Sequence, residues 1–244
     1  MAGRVATSFT GKTAQRWDKP DDAGPVTEAD LAVNELLCTT LQQARPGYGW
    51  LSEETEDNNA RLDKDRVFIV DPIDGTRSFV EGSNTWAHSL AVAEQGVVTA
   101  AVVYLPLRDK LYAAALGQGA TLNGAPLETS GPCDVADMTV LAARPALVAE
   151  HWKNAVAPTF KRAYRPSLAY RLALVAEGRF DAMITLRPTW EWDIAAGTLI
   201  VTEAGGGASE RTGAALRFNN ADPRLDGIVA GSVGGHNALS RALA

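Results

Sequence analysis

The first half of this chain repeats short β-patterned segments, and the second half trades them for alternating helical and strand patterns. Val33, Leu37, Leu41 and Ala44 recur at helical spacing behind Pro25-Val26-Thr27-Glu28-Ala29-Asp30. There Thr27 fits as N-cap with an acid three residues on, and Arg45-Pro46-Gly47 stops the helix. Trp50-Leu51 is a short apolar lead into Ser52-Glu53-Glu54-Thr55-Glu56-Asp57, and the polar stretch to Lys64 reads as a surface loop. Val67-Phe68-Ile69-Val70 is rich in β-branched residues, as a buried strand should be, and runs into Asp71-Pro72-Ile73-Asp74-Gly75-Thr76. Strand-like segments follow at 85–93, 97–105, 110–115 and 120–127. Gln95-Gly96, Pro106-Leu107-Arg108, Gly117-Gln118-Gly119 and Asn123-Gly124 punctuate them as hairpin signals, which predicts an antiparallel sheet.

From about Ser130 the pattern changes. Residues 167–177 read as a helix with Leu168, Leu172 and Val175 on one face, and 181–185 as a short strand. A helix over 193–204 is expected to be capped by Asp193 and stopped by Gly205-Gly206-Gly207, with a strand at 226–230 and a last helix at 237–244. No flexible spacer marks the change, so a single domain over 1–244 is expected, in two lobes, 1–129 and 130–244. No internal repeat is present.

A chain of 244 residues suffices for one large core, and 46% apolar with 21% charged residues is ordinary for a globular protein. The net charge of -6 argues against a nucleic-acid surface. It is compatible with a phosphorylated substrate, because bound metal ions reverse the local field. Cys38 and Cys133 are far apart and in no metal-ligand spacing, which predicts reduced thiols. His88, His151 and His236 are scattered and suggest no histidine metal site. No apolar segment reaches the roughly 18–20 residues of a membrane span, and residues 1–10 lack a signal-peptide core, so a cytoplasmic protein without membrane or nucleic-acid partners is expected.

Four acidic motifs carry candidate chemistry. Asp30 reads equally as a helix-dipole partner, Asp193 as an N-cap, and Glu53 with Glu54 as a solvated loop. Asp71 and Asp74 resist so plain a reading: two carboxylates ending an apolar strand repel each other and lose hydration unless a cation satisfies them. The Gly75-Thr76 pair could open a helix whose N–H groups hold an anion, and carboxylates beside an anion suit Mg²⁺ and phosphate.

In their order and spacing, Thr27-Glu28-Ala29-Asp30, Ser52-Glu53-Glu54, Asp71-Pro72-Ile73-Asp74-Gly75-Thr76 and Trp192-Asp193-Ile194-Ala195-Ala196-Gly197 resemble the inositol monophosphatase superfamily of Mg²⁺-dependent, lithium-sensitive phosphatases. The likeness runs from about Pro25 to Gly207. Gly24 to Asp30, Leu51-Ser52-Glu53-Glu54, Gly75 to Val80, Leu174 to Gly178 and Pro188-Thr189 look closest to the bacterial 3′(2′),5′-bisphosphate nucleotidases of the CysQ type. The resemblance implies a layered αβαβα sandwich with metals in the cleft between the lobes. Glu53, Asp71 and the Ile73 carbonyl would hold one Mg²⁺, Asp71, Asp74 and Asp193 a second, and a third would bind near Glu53. Thr76, hydrogen-bonded to Asp30, would orient the attacking water while Glu53 helps to deprotonate it, and the Gly75 and Thr76 N–H groups would hold the phosphate, flanked by Asp74 and Asp193.

For the substrate, the resemblance supplies a further contrast. Inositol phosphatases of the superfamily typically carry a glutamate seven residues before the motif aspartate, where it meets inositol hydroxyls; here that place holds Leu186. Losing such a partner removes preference for a polyol and favours adenosine 3′,5′-bisphosphate. Its second phosphate and base would find Arg144, Arg165 or Arg171, with Ser167 beside them, unless these arginines are merely solvated. Pro166-Ser167 replaces the Gly-Ser pair common before that helix, and the N-terminal helix is expected to be short. A phosphatase of inositol or other sugar phosphates, and a non-catalytic binding protein of the same fold, stay open as alternatives. A monomer or a homodimer would suit any of them.

Overall fold

A computed structural model describes residues 1–9, 14–19, 24–131 and 134–244, so Cys133 lies outside the described residues. In chain order its elements begin with α1 (Ala2–Ser8), β1 (Arg16–Asp18), β2 (Pro25–Thr27), α2 (Glu28–Ala44), β3 (Gly49–Ser52), β4 (Arg66–Asp74) and α3 (Thr76–Val80). There follow β5 (Ala87–Glu94), β6 (Val97–Leu105), β7 (Lys110–Ala115), β8 (Ala120–Leu122), β9 (Ala125–Pro126), β10 (Thr139–Ala142) and β11 (Lys161–Ala163). The remainder comprises α4 (Leu168–Ala176), β12 (Ala182–Thr185), β13 (Thr189–Trp190), α5 (Glu191–Glu203), β14 (Gly206–Ser209), β15 (Arg224–Leu225), β16 (Ile228–Ser232) and α6 (Val233–Ala242).

The hairpin punctuation of the first half produces a seven-stranded sheet in the order β3 to β9, antiparallel throughout except that β3 runs parallel to β4. The second half builds a five-stranded mixed sheet in the order β11-β10-β12-β16-β14. The helices α4 and α5 fill the space between the two sheets, and their apolar residues join both sheets in one core that includes Leu172, Ile194, Ile200, Val103 and Met183. Outside the larger sheet, α1 and α2 cover Ile73, Phe79 and Trp86; outside the smaller one, α6 covers Val140, Ile184 and Val229 through Leu239. Helix, sheet, helix, sheet, helix: the layered αβαβα sandwich is present. No described helix is long and apolar enough to cross a membrane.

Close packing in the middle layer explains the small residues of the Trp192-to-Gly197 motif. A Cβ at Gly197 would lie 2.4 Å from the side chain of Leu172, so α4 and α5 approach at a point where only glycine fits.

Several sequence expectations shift in detail. Asp193 does not cap its helix: α5 begins at Glu191 with Trp190 as N-cap, which leaves Asp193 in the first turn with its side chain free for other work. Of the three glycines expected to stop it, Gly205 takes a left-handed φ of 82°, but Gly206 and Gly207 enter β14 beside β16. The last helix starts earlier, at Val233, because the Ser232 hydroxyl accepts from the Gly235 N–H and outweighs the poor helix propensity of Gly234-Gly235. The polar stretch before Lys64 is not all surface: Arg61 is only 2% exposed. It donates to Asp57, to Asn219 Oδ1 and to the Asn220 carbonyl. Segment 120–127 divides into β8 and β9 at Asn123-Gly124, both at positive φ as a tight hairpin requires.

Candidate active site

Strand β4 pairs with β5 regularly as far as Asp71 opposite Ser89, and then resumes at Asp74 opposite Ala87. Three steps on one strand match two on the other, and such a bulge bends the strand and re-aims its side chains. Pro72 has no N–H for the ladder, and its carbonyl is taken up by Nδ1 of the buried His88, 2.5 Å away. The Ile73 N–H donates to Asp71 Oδ1 at 2.9 Å, locking the first aspartate against the turn. Gly75 at φ 99° then turns the chain into α3.

Asp74 points toward the start of α4. Its Oδ2 accepts from the Ser167 hydroxyl and from the Ala169 N–H, both at 2.6 Å. Asp193 arrives from the first turn of α5, whose position is pinned by Ser89 Oγ donating to the Trp192 carbonyl at 2.9 Å. The neighbouring Glu191 is buried and accepts from Asn219 and Asn220, so this helix start is anchored on both sides. As a result, ligand oxygens of Asp71, Asp74 and Asp193 all lie within 4.8 Å of one another.

That donor set of hard carboxylate oxygens fits a divalent cation, which would relieve the mutual repulsion of its buried charges. Burial, together with the charges of Glu53, Asp74 and Asp193, holds the Asp71 carboxyl far above the usual range. Burial and the Asp74 and Glu53 charges do the same to Asp193. Asp74 is pushed up to about 6 by burial, against the opposing hydrogen bonds from Ser167 and Ala169. Without a cation, ionising these groups together is costly; with one they become ligands.

Glu53 follows β3, its N–H donating to the Val70 carbonyl at 3.2 Å, and its Oε1 accepts from Lys19 Nζ at 2.8 Å. Lys19 also reaches Glu54 at 2.6 Å. Burial and the nearby Glu53 raise Glu54 to about 7 despite that lysine. Asp30 serves two partners. Its Oδ2 closes the capping box of α2 by accepting from the Thr27 N–H at 2.9 Å and the Thr27 hydroxyl at 2.5 Å. Its Oδ1 accepts from the Thr76 hydroxyl at 3.1 Å. Burial lifts Asp30 to about 6, with the Thr27 and Thr76 bonds pulling the other way.

A cavity of about 600 Å³ opens on this cluster and is lined by Glu53, Asp71, Asp74, Gly75, Thr76 and Asp193. Among the arginines named from the sequence, Arg171 lines it, but Arg144 and Arg165 do not. Arg171 is buried and donates to the carbonyls of Arg165 and Pro166, with its guanidinium 4.5 Å from the centre of the Tyr164 ring. Ser167 is fully buried behind Asp74, and its oxygen also accepts from the Tyr170 N–H at 3.0 Å. Ile73 stays out of solvent too, with its carbonyl 3.2 Å from the Thr76 hydroxyl. Sequence reasoning assigned no role to Arg77, Tyr164 and Arg187, which line this cavity; apart from the basic character of two of them, nothing in a single sequence distinguishes them from surface residues.

Comparison with known proteins follows the same lines. The family model described as "Inositol monophosphatase family" matches residues 1–243. An inositol-1-monophosphatase of Mesorhizobium japonicum is 34% identical, covering 89% of this chain and 82% of the relative. The Nus factor SuhB of Escherichia coli K12 is 38% identical over 87% of this chain and 85% of its own length. A 3′-phosphoadenosine 5′-phosphate phosphatase of Mycobacterium bovis is 34% identical over 87% and 79%. Among solved structures, the extragenic suppressor protein suhB of Bartonella henselae superposes with a TM-score of 0.82 at 31% identity, covering 98% of this chain and 93% of the other.

Proposed function

The chain belongs to the inositol monophosphatase family, whose members are Mg²⁺-dependent phosphatases, and on that basis we propose that it hydrolyses the 3′-phosphate of adenosine 3′,5′-bisphosphate. The observation that carries the hydrolase reading is the convergence of Asp71, Asp74 and Asp193 within 4.8 Å beside the Asp30–Thr76 hydrogen bond. Glu53, Asp71, the Ile73 carbonyl, Asp74 and Asp193 would hold two or three Mg²⁺ ions. When bound, Mg²⁺ supplies Lewis-acid polarisation of the phosphoryl group and acidifies water.

The chain's own groups do the rest. Asp30 fixes the Thr76 hydroxyl proton, which leaves the Thr76 oxygen lone pairs to accept from water and aim it at phosphorus. Glu53, at the cavity wall, takes the proton that water gives up. The N–H groups of Gly75 and Thr76 meet the phosphate oxygens and add donors that need no reorganisation as charge develops. Ser167 acts through Asp74, which it holds in place, and Arg171 acts through Tyr164.

Leu186 supports the nucleotide over a polyol, because it lines the cavity with a surface that accepts no hydroxyl hydrogen bond. The names of the Mesorhizobium and Mycobacterium relatives divide between these two substrate classes, so initial rates of phosphate release decide. With Mg²⁺, adenosine 3′,5′-bisphosphate is expected to exceed inositol 1-phosphate by at least about tenfold in kcat/KM, one good contact's worth. Equal rates or the reverse order overturn the nucleotide assignment. No release from any of several phosphate monoesters overturns the hydrolase reading in favour of a non-catalytic role.

A further inference from the structure

We propose that Arg187 is the specificity-determining cation that binds the second phosphate of the substrate. The proposal rests on the bisphosphate reading above and adds a residue to it. Arg187 lines the same cavity as the carboxylate cluster, is exposed, and makes no side-chain hydrogen bond or ion pair among the described residues. Its charge is felt at Asp193, six positions along the chain. A guanidinium with all five donors unspent, at the wall of a cavity that also holds the carboxylate cluster, is suited to a bidentate bond with a phosphate brought in by the ligand.

The other arginines fit that role less well. Arg171 is occupied by the carbonyls of Arg165 and Pro166, and Arg165 donates to the Tyr164 carbonyl at 2.7 Å and lies outside the cavity lining. Arg77 is unpaired among the described residues, but it adjoins Thr76 on α3 and so flanks the phosphate that reacts. Arg187 instead continues directly from Leu186 and Ile184, which line the cavity with Ala146 and Tyr164. That mostly apolar wall is where a flat base and its sugar can rest, and an anion on the far side of the sugar from the reacting ester then comes within reach of Arg187. The cavity volume of about 600 Å³ is ample for a ligand of this size.

Calorimetric binding of adenosine 3′,5′-bisphosphate and adenosine 3′-monophosphate, with Ca²⁺ in place of Mg²⁺ to suppress turnover, tests this apart from catalysis. The wild-type protein should prefer the bisphosphate, and R187Q should shrink that preference about tenfold, equivalent to about 1.4 kcal/mol. R187K should restore part of it, since lysine supplies a point charge without the fork. No wild-type preference, the same preference in R187Q, or its loss in R77Q alone overturns the proposal. If preference depends on Arg187 while the Mg²⁺ form releases no phosphate from any monoester, the hydrolase reading falls and the assignment of Arg187 stands.

Discussion

Asp30 shows how one side chain can satisfy folding and chemistry together: one oxygen completes the cap of α2 while the other holds Thr76. The same cannot be said of Asp71, whose surroundings without a cation are hostile to its charge. Asp71→Asn should therefore lower kcat by at least about a thousandfold and also raise the melting temperature of the EDTA-treated protein, since one repelling charge is gone. A fall in both activity and metal-free stability would instead mark Asp71 as structural. His88 behaves oppositely to the acids. Burial pushes its imidazole down to about 4 from 6.5, so the folded state carries it neutral while the unfolded chain protonates. Stability from this group is complete above about 6.5 and is lost as pH falls toward 4, a contribution of about 3 kcal/mol. Denaturant unfolding of wild type and His88→Gln should show the wild-type stability falling relative to the variant by roughly that amount between pH 7 and pH 4.

Between residues and the whole lies the pairing of α4 with α5. Glycine inside a helix normally costs about 0.5–1 kcal/mol relative to alanine, so Gly197→Ala on an isolated helix would stabilise. Here the added methyl would strike Leu172 at 2.4 Å, near its backbone as well as its tip, and the helices must part. Gly197→Ala is expected to destabilise by about 1–3 kcal/mol and to lower activity in proportion, since α5 carries Asp193 and α4 presents the N–H that holds Asp74. A variant as stable as wild type by denaturant unfolding would show that the layer can breathe at this point. The bulge of β4 is the other decisive element, because it converts the strand's alternation of faces into two carboxylates that share a cavity.

At the scale of the molecule, the site is a seam between layers. Asp71 and Asp74 come from the larger sheet, Asp193 from the helical layer, and the Arg187 and Leu186 wall from the chain just beyond β12 of the smaller sheet. A ligand bound across such a seam stabilises the assembly of the layers as well as occupying a site. Adding Mg²⁺ at a hundredfold excess over its Kd should raise unfolding free energy by about 2.7 kcal/mol. That gain should grow with pH. Asp30 and Asp74, raised to about 6, and Glu54, raised to about 7, make the metal-free fold lose stability as pH climbs from about 4 to 7. Magnesium favours Asp74 and the other ligand carboxylates ionised, so melting curves in Mg²⁺ and in EDTA should diverge across that window; parallel curves would mean that no cation meets the cluster.

The sequence alone determined the elements with strong periodicity or punctuation: α2 with its Thr27 cap, β6 and β7 to the residue, and the acidic turn after Val70. It also marked Asp71 and Asp74, because carboxylates ending an apolar strand are costly and therefore conspicuous, whereas Asp193 was named as their partner only through the family resemblance. What local pattern could not convey was anything that depends on partners distant along the chain. Whether Asp193 caps a helix or faces Asp71, whether Arg61 is solvated or spans to Asn219, and which arginine stands at the cavity were all decided by tertiary packing. The physical reason is that periodicity records a residue's preference for a surface or a core, whereas a polar group's role is set by where its hydrogen bonds and opposite charges are found. For this chain those lie in other layers of the sandwich.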